Sequence, residues 1–245
     1  VGMAAETGEP VVLSCTGATA SRNYYPALTE AYYRQLPILA VTSTQEESKI
    51  GHMLPQVIDR RQQPFDTVRM SVHMQTVKDE DDEWNCVVKA NTAILELNHH
   101  GMGPVHINLT TRYSRNFKVK ELAPVRKITR HGLTDELPDL PKCKMAVYVG
   151  THLRWSQRLT KAVDAFCEAH NAVVFSDPAS NYNGKYRVNN FIRSSQPVPN
   201  DNASVDLLIH IGTMSDMAGI VRPKNVWRVS EDGLIADRYK VLKRV

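Results

Sequence analysis

Three observations predict an α/β chain built as two parallel-sheet domains. Short, continuous apolar runs, VVLSC at 11–15, MAVYVG at 145–150 and VDLLIHIG at 205–212, have the uniform hydrophobicity of strands buried on both faces. Segments of helical period alternate with them, so the order is strand, loop, helix, strand. The length of 245 residues exceeds one typical domain and suits two.

Taken in order, VGMAAETGEP is Gly/Ala-rich and helix-like, and it runs through a Gly8–Pro10 turn straight into the strand VVLSC. No strand precedes that helix, so the chain is expected to begin within a fold. A small-residue loop, TGATAS, leads past Asn23 and Pro26 into ALTEAYYRQ, where Ala27, Ala31 and the tyrosines fall at helical spacing. Pro37 stops that helix ahead of the strand ILAVTS. Residues 45–64 are polar and broken by Gly51 and Pro55. In VKDEDDEWNCVVKANTAILELNHHG the acidic run 78–83 marks a helix start near Asp81, and Gly101 is expected to close the helix. GPVHINL, with Val105, Ile107 and Leu109 at strand spacing, ends a first domain at residue 112.

Residues 113–139 carry charges, prolines and no sustained period, as an ordered inter-domain connection would. The second domain, 140–245, runs from MAVYVG through the helical WSQRLTKAVDAFCEAH to AVVFSD, and adds VDLLIHIG and NVWRVS. This is a Rossmann-like order without the glycine fingerprint, which disfavours a nicotinamide oxidoreductase. The strand ends at Gly212 and Ser230 are where such sheets receive ligands.

Composition narrows the function. The 30 basic and 26 acidic residues are scattered, with no basic run interleaved with aromatics, so no nucleic-acid partner is expected. No apolar stretch approaches the roughly 20 residues that cross a bilayer, so no membrane is expected. Cys15, Cys86, Cys143 and Cys167 form no CxxC pair, which suits reduced thiols in a cytoplasmic protein.

The segment CTGATASRNYYPALTEAYYRQLPILAVTS, residues 15–43, delivers small and hydroxyl residues from a buried strand to a helix start, which lets backbone approach a ligand closely. Its wording resembles the end of the pyrimidine-binding domain of thiamine-diphosphate-dependent enzymes. Cys15, Thr16, Thr19, Asn23, Tyr25, Pro26 and Glu30 are similar to the branch making 2-succinyl-5-enolpyruvyl-6-hydroxy-3-cyclohexene-1-carboxylate from 2-oxoglutarate and isochorismate, in menaquinone biosynthesis. Pro55, Gln56, Ile58 and Asp59 in IGHMLPQVID continue the likeness, as do GPVHINL and LLIHIGTMSD followed by VWRVSEDGLIADRYKVLKRV.

The resemblance implies a truncated pyrimidine-binding domain (1–112) and a Rossmann-like central domain (140–245) of a decarboxylating carboligase. It places Thr16, Thr19 and Asn23 on the cofactor side and Gln56 on the substrate side. Thiamine diphosphate, with Mg2+ held outside this chain, is the implied cofactor, and a 2-oxoacid the substrate. The complete protein is expected to be a homodimer or homotetramer. The glutamate that activates the aminopyrimidine is expected before Val1, and the GDG motif of the diphosphate domain beyond Val245, so this chain alone is not expected to catalyse. Asp232 and Gly233 lack the preceding glycine of that motif.

One departure concerns the substrate. The menaquinone-pathway branch carries a Lys and Arg pair after the GTMSD-like strand end, where this chain has MSDMAGIVRP and only Arg222 and Lys224 nearby. An acetolactate-synthase-like or other 2-oxoacid decarboxylase is therefore a competing expectation, and a noncatalytic nucleotide-binding or subunit-contact module a third. His99 and His100 are expected to cap a helix, while His73, His106 and His210 lack metal-ligand spacing and are expected to be satisfied structural histidines.

Overall fold

The computed structural model describes residues 1–16, 18–112, 118–189, 204–213 and 221–245. Contacts divide the chain into two compact units, Val1–Arg126 and Lys127–Val245.

The first unit holds α1 (Gly2–Thr7), β1 (Val11–Cys15), a 3-10 turn (Ala18–Tyr24), α2 (Tyr25–Tyr33), β2 (Ile38–Thr44), β3 (Met70–Met74), α3 (Glu80–Glu96) and β4 (Val105–Thr110). Its four strands are all parallel in the order β1-β2-β4-β3. Pro26, at the start of α2, sits where its missing N–H would go unpaired in any case. Asp79 caps α3 by accepting from the Asp82 N–H at 2.9 Å, and Glu80 to Glu83 place four carboxylates in the first turn, against the positive end of the dipole. The helix ends at Glu96, short of Gly101. Between them the chain turns through His100, which has a left-handed φ of 48°, and Gly101 continues that turn at φ 88°. The strand β3 alternates apolar and polar residues strictly as MSVHM, yet it is only five residues long and has no counterpart in the sequence expectation.

Helices cover opposite halves of the two faces. α1 and α2 bury Ala4, Leu28 and Ala31 with Ile38 and Ala40 over β1 and β2. α3 buries Ala93 with Met74 and Ile107 on the other face, over β3 and β4.

The second unit contains β5 (Met145–Val149), α4 (Gln157–His170), β6 (Val173–Ser176), β7 (Arg187–Asn189), β8 (Ser204–Ile211), β9 (Arg222–Val229) and β10 (Leu242–Arg244). These form an all-parallel sheet ordered β10-β9-β8-β5-β6-β7. Ser156 caps α4 through the Leu159 N–H at 3.1 Å, and Asn171 ends it in the left-handed conformation. Val163 and Cys167 of α4 pack on Met145, Val147, Leu207 and Ile209. Thr129 pairs with β10, donating to Lys243 O at 3.0 Å and accepting from the Val245 N–H at 2.9 Å. Both sheets are thus wholly parallel among the described residues, as an α/β chain requires.

Candidate functional site

The carboxyl ends of parallel strands are where α/β sheets receive ligands, and in the first unit that edge is formed by Cys15, Thr44, Met74 and Thr110. Register places Cys15, Thr42, Asn108 and His73 side by side on one face, with His106 and Ser71 one step behind. On this face β1 and β2 are apolar at their amino ends and turn polar only at the ligand edge, whereas β3 and β4 are polar throughout.

These buried polar groups satisfy one another in a chain. Ser71 Oγ lies 2.8 Å from His106 Nδ1, and His106 Nε2 lies 2.8 Å from Thr42 Oγ1. Thr42 donates onward to Asn108 Oδ1 at 3.3 Å, and Asn108 Nδ2 meets His73 Nδ1 at 3.0 Å. Because the Thr42 hydroxyl gives its proton to Asn108, it accepts from His106. That makes His106 the neutral tautomer with its proton on Nε2. Burial, with the Arg60 charge adding to it, lowers the His106 pKa to about 4, and burial lowers that of His73 as well.

Two loops rise over this floor. The first follows β1 and carries Thr16, Thr19 and Asn23, all exposed. The second follows β2 and carries Gln56, also exposed, with a left-handed φ of 61°. Arg22 joins them by donating from Nη2 to Asp59 O at 3.0 Å while its guanidinium packs over the Tyr25 ring. The expected cofactor-side and substrate-side residues therefore belong to loops that adjoin on one edge of one sheet.

Sequence reasoning missed the arginines of that second loop. Arg61 grips both carboxylate oxygens of Asp59, at 3.0 and 2.7 Å, and also pairs with Glu47. It holds the Asp59 carboxyl well below its usual range, at about 2. Its neighbour Arg60 is only 1% exposed and bonds to Ser43 O, leaving Nε and Nη1 without a partner. The triplet Asp59-Arg60-Arg61 looks like an ordinary solvated charge cluster in sequence, and no linear signal separates the buried arginine from the exposed one.

The second unit differs. Gly212, at φ 80°, passes so close to β5 that an added Cβ would meet Thr151 O at 2.7 Å, and the Thr213 N–H bonds to that same oxygen at 2.9 Å. At the end of β9, Ser230 and Asp232 are clasped by Arg228, whose nitrogens lie 2.6 and 2.9 Å from the two carboxylate oxygens. Backbone and ion pairs thus occupy both expected strand ends. Arg222 and Lys224 stand at the amino-terminal start of β9, and Lys224 is paired with Asp206 at 2.7 Å. The residues 214–220, which follow the GT of the expected GTMSD-like end, lie outside the described residues. A groove of about 430 Å3 lined by Lys127, Cys143, Asp206, Trp227 and Arg244 contains none of the expected site residues.

His99 pairs with Glu96 at 2.9 Å, in the turn that closes α3. His210 departs from expectation: it is buried beside the Tyr148 ring, and among the described residues its Nε2 has no hydrogen-bond partner. Among the described residues no group of three His, Cys, Asp or Glu side chains is placed to hold a metal ion, and no helix is long and apolar enough to cross a membrane.

No protein-family model matches the chain. Individual proteins do. A 2-succinyl-5-enolpyruvyl-6-hydroxy-3-cyclohexene-1-carboxylate synthase of Phocaeicola vulgatus is 30% identical over 270 aligned residues, covering 100% of this chain and 47% of its own. The synthase of the same name from Bacteroides fragilis is 29% identical over 98% of this chain and 46% of its own, and that of Bacteroides thetaiotaomicron is 38% identical over 54% and 24%. A solved structure of a Mycobacterium smegmatis protein, described as a candidate thiamin diphosphate-dependent enzyme, aligns over 99% of this chain and 49% of its own, with a TM-score of 0.36 and 13% identity. The chain spans about half the length of the curated relatives it matches. It is homologous, along its whole length, to the 2-succinyl-5-enolpyruvyl-6-hydroxy-3-cyclohexene-1-carboxylate synthases.

Proposed function

We propose that this chain supplies the pyrimidine-facing and central domains of a thiamine-diphosphate-dependent 2-oxoacid decarboxylase and carboligase. The observation that carries this reading is the union of the two loops, Thr16 to Asn23 and Gln56 to Arg61, at one carboxyl edge of a parallel sheet, tied by the Arg22 bond to Asp59 O.

Bound thiamine diphosphate would supply a carbon nucleophile and an electron sink for decarboxylation. The chain's own residues position and shield. Thr16, Thr19 and Asn23 offer hydroxyl and amide groups to the cofactor side, and Gln56 offers an amide to the substrate side. The neutral His106 and Thr42 beneath them hold the sheet edge rigid without adding charge. The reading assigns the Mg2+ and the diphosphate to residues outside this chain. A homodimer or homotetramer and a cytoplasmic setting go with the reading.

The 2-oxoacid need not be 2-oxoglutarate. Arg222 and Lys224, the cations nearest the position of the missing basic pair, stand at the end of the second sheet opposite to ligand-binding strand ends. The names of the matched relatives keep the menaquinone-pathway reaction first, with an acetolactate-synthase-like or other 2-oxoacid decarboxylase as the second reading. The rival reading, a noncatalytic nucleotide-binding or subunit-contact module, must contend with strand ends already closed at Gly212 and Ser230.

The complete gene product, assayed with thiamine diphosphate, Mg2+ and a panel of 2-oxoacids, is expected to release carbon dioxide from at least one. Cofactor binding without turnover on any of them would overturn the enzyme reading. A calorimetric response to ADP or a flavin nucleotide, with none to thiamine diphosphate, would favour the module.

A further inference from the structure

The geometry points to Arg60, assisted by Arg22, as the binding site for a small anion at the carboxyl edge of the first sheet. The ligand chemistry is an anionic oxygen, from a carboxylate or a phosphate. The inference deepens the functional reading above and rests on it for which ligand the oxygen belongs to.

Arg60 is 1% exposed, and a guanidinium cannot shed its charge in a protein. A buried, charged group is expected to be paired, because an uncompensated one is strongly destabilising. Arg60 makes a single bond, to the main-chain oxygen of Ser43, and its Nε and Nη1 have none. These two nitrogens lie on different edges of the planar guanidinium, so each can donate a single charge-assisted bond to an anionic oxygen.

Local carboxylates do not meet this need. Asp59 gives both its side-chain oxygens to Arg61 and its main-chain oxygen to Arg22, and Glu47 also faces Arg61. Arg22 adds a second cation on the residue adjoining Arg60 rather than a counter-charge. Further out, Glu46 is taken by Arg112 and Thr76. Two guanidinium groups therefore converge where ligands of parallel sheets bind, between the loop of Thr16 to Asn23 and that of Gln56. The cation sought at Arg222 and Lys224 is supplied here by a different element.

The test is thermal unfolding of this chain with pyruvate and 2-oxoglutarate in one arm, inorganic phosphate and diphosphate in the other, and chloride at matched ionic strength as reference. The wild-type midpoint should rise saturably by a few degrees with at least one anion beyond chloride. Arg60→Gln should abolish that rise and Arg22→Gln weaken it. Without ligand, Arg60→Gln should melt at or above the wild-type midpoint, since it removes an unpaired buried charge. A structural arginine predicts the reverse. Should Arg60→Gln not fold, Arg60→Lys retains the charge but replaces the guanidinium donors with a single ammonium and should weaken the response.

A response to carboxylates alone identifies a substrate-type carboxylate, and one to phosphates alone a phosphoryl group. No response to either, or a wild-type response in Arg60→Lys, overturns the proposal. The two readings separate in the complete gene product. Turnover with an unchanged KM in Arg60→Gln removes the anion site and leaves the enzyme. An Arg60-dependent anion response without any turnover leaves the site and removes the enzyme.

Discussion

At the scale of single residues, the polar floor of the first sheet is the most tightly determined feature. Thr42 stands at its centre, accepting from His106 and donating to Asn108 while 2% exposed. Thr42→Val keeps the shape but strands the His106 donor and one Asn108 acceptor site in a place water does not reach. The expected loss is about 1–3 kcal/mol, measured by urea unfolding, while Thr42→Ser should retain most of the stability. Equal midpoints for the valine variant and the wild type would mean that the chain of hydrogen bonds contributes nothing. The composition of this floor could be listed from the sequence, yet its connectivity could not, since Thr42, Ser71, His73, His106 and Asn108 meet only through strand register. The same applies to Arg60 and Arg61. They are adjacent and chemically identical, and tertiary packing alone makes one buried and the other an exposed partner of Asp59. Thr16, Thr19, Asn23 and Gln56 were legible as candidates because their order matches a family wording, and that wording contains nothing about the arginines between the loops.

At the scale of elements, legibility followed the strength of the local signal. The start of α3 was visible to within a residue because an aspartate cap and four acidic residues coincide there. Asp79→Ala should cost about 1 kcal/mol through loss of its bond to the Asp82 N–H, and Asp79→Asn, which can still accept, should cost little. Residue-resolved amide exchange would localise the effect to the first turn of α3. If protection fell evenly along the helix instead, the cap would not be what secures that end. The short strands β3, β7 and β10 left no comparable trace, since three to five residues pair only because a longer neighbour templates them. β9 extends further forward than expected, to include Pro223. A proline is tolerated in the second position of the strand because only its missing N–H is lost from the ladder.

At the scale of the whole molecule, each unit buries one histidine at the centre of its sheet, and these set how the protein responds to acid. His106 in the first unit and His210 in the second are both held neutral by burial, each with a folded-state pKa of about 4 against an ordinary 6.5. As pH falls below 6.5 the unfolded chain takes up protons at both positions while the folded chain does not, so stability falls with pH. Their contribution is complete above pH 6.5 and is gone once pH passes below about 4. Carboxylates act in a lower window: Asp59, depressed to about 2, contributes above pH 3.8 and loses that contribution as pH falls towards 2, with a small effect because the pair with Arg61 is solvent-exposed. The unfolding free energy should therefore decline between pH 6.5 and 4.5, before carboxylates protonate. His106→Gln should flatten that decline for the first unit and His210→Gln for the second, each removing about one proton from the pH slope of denaturant unfolding. His210→Gln carries a further expectation, because the wild-type ring already lacks a partner for Nε2. Its stability at pH 7 should change less than that of His106→Gln, which breaks bonds to both Ser71 and Thr42. A pH slope unaltered in both variants would locate the acid sensitivity elsewhere.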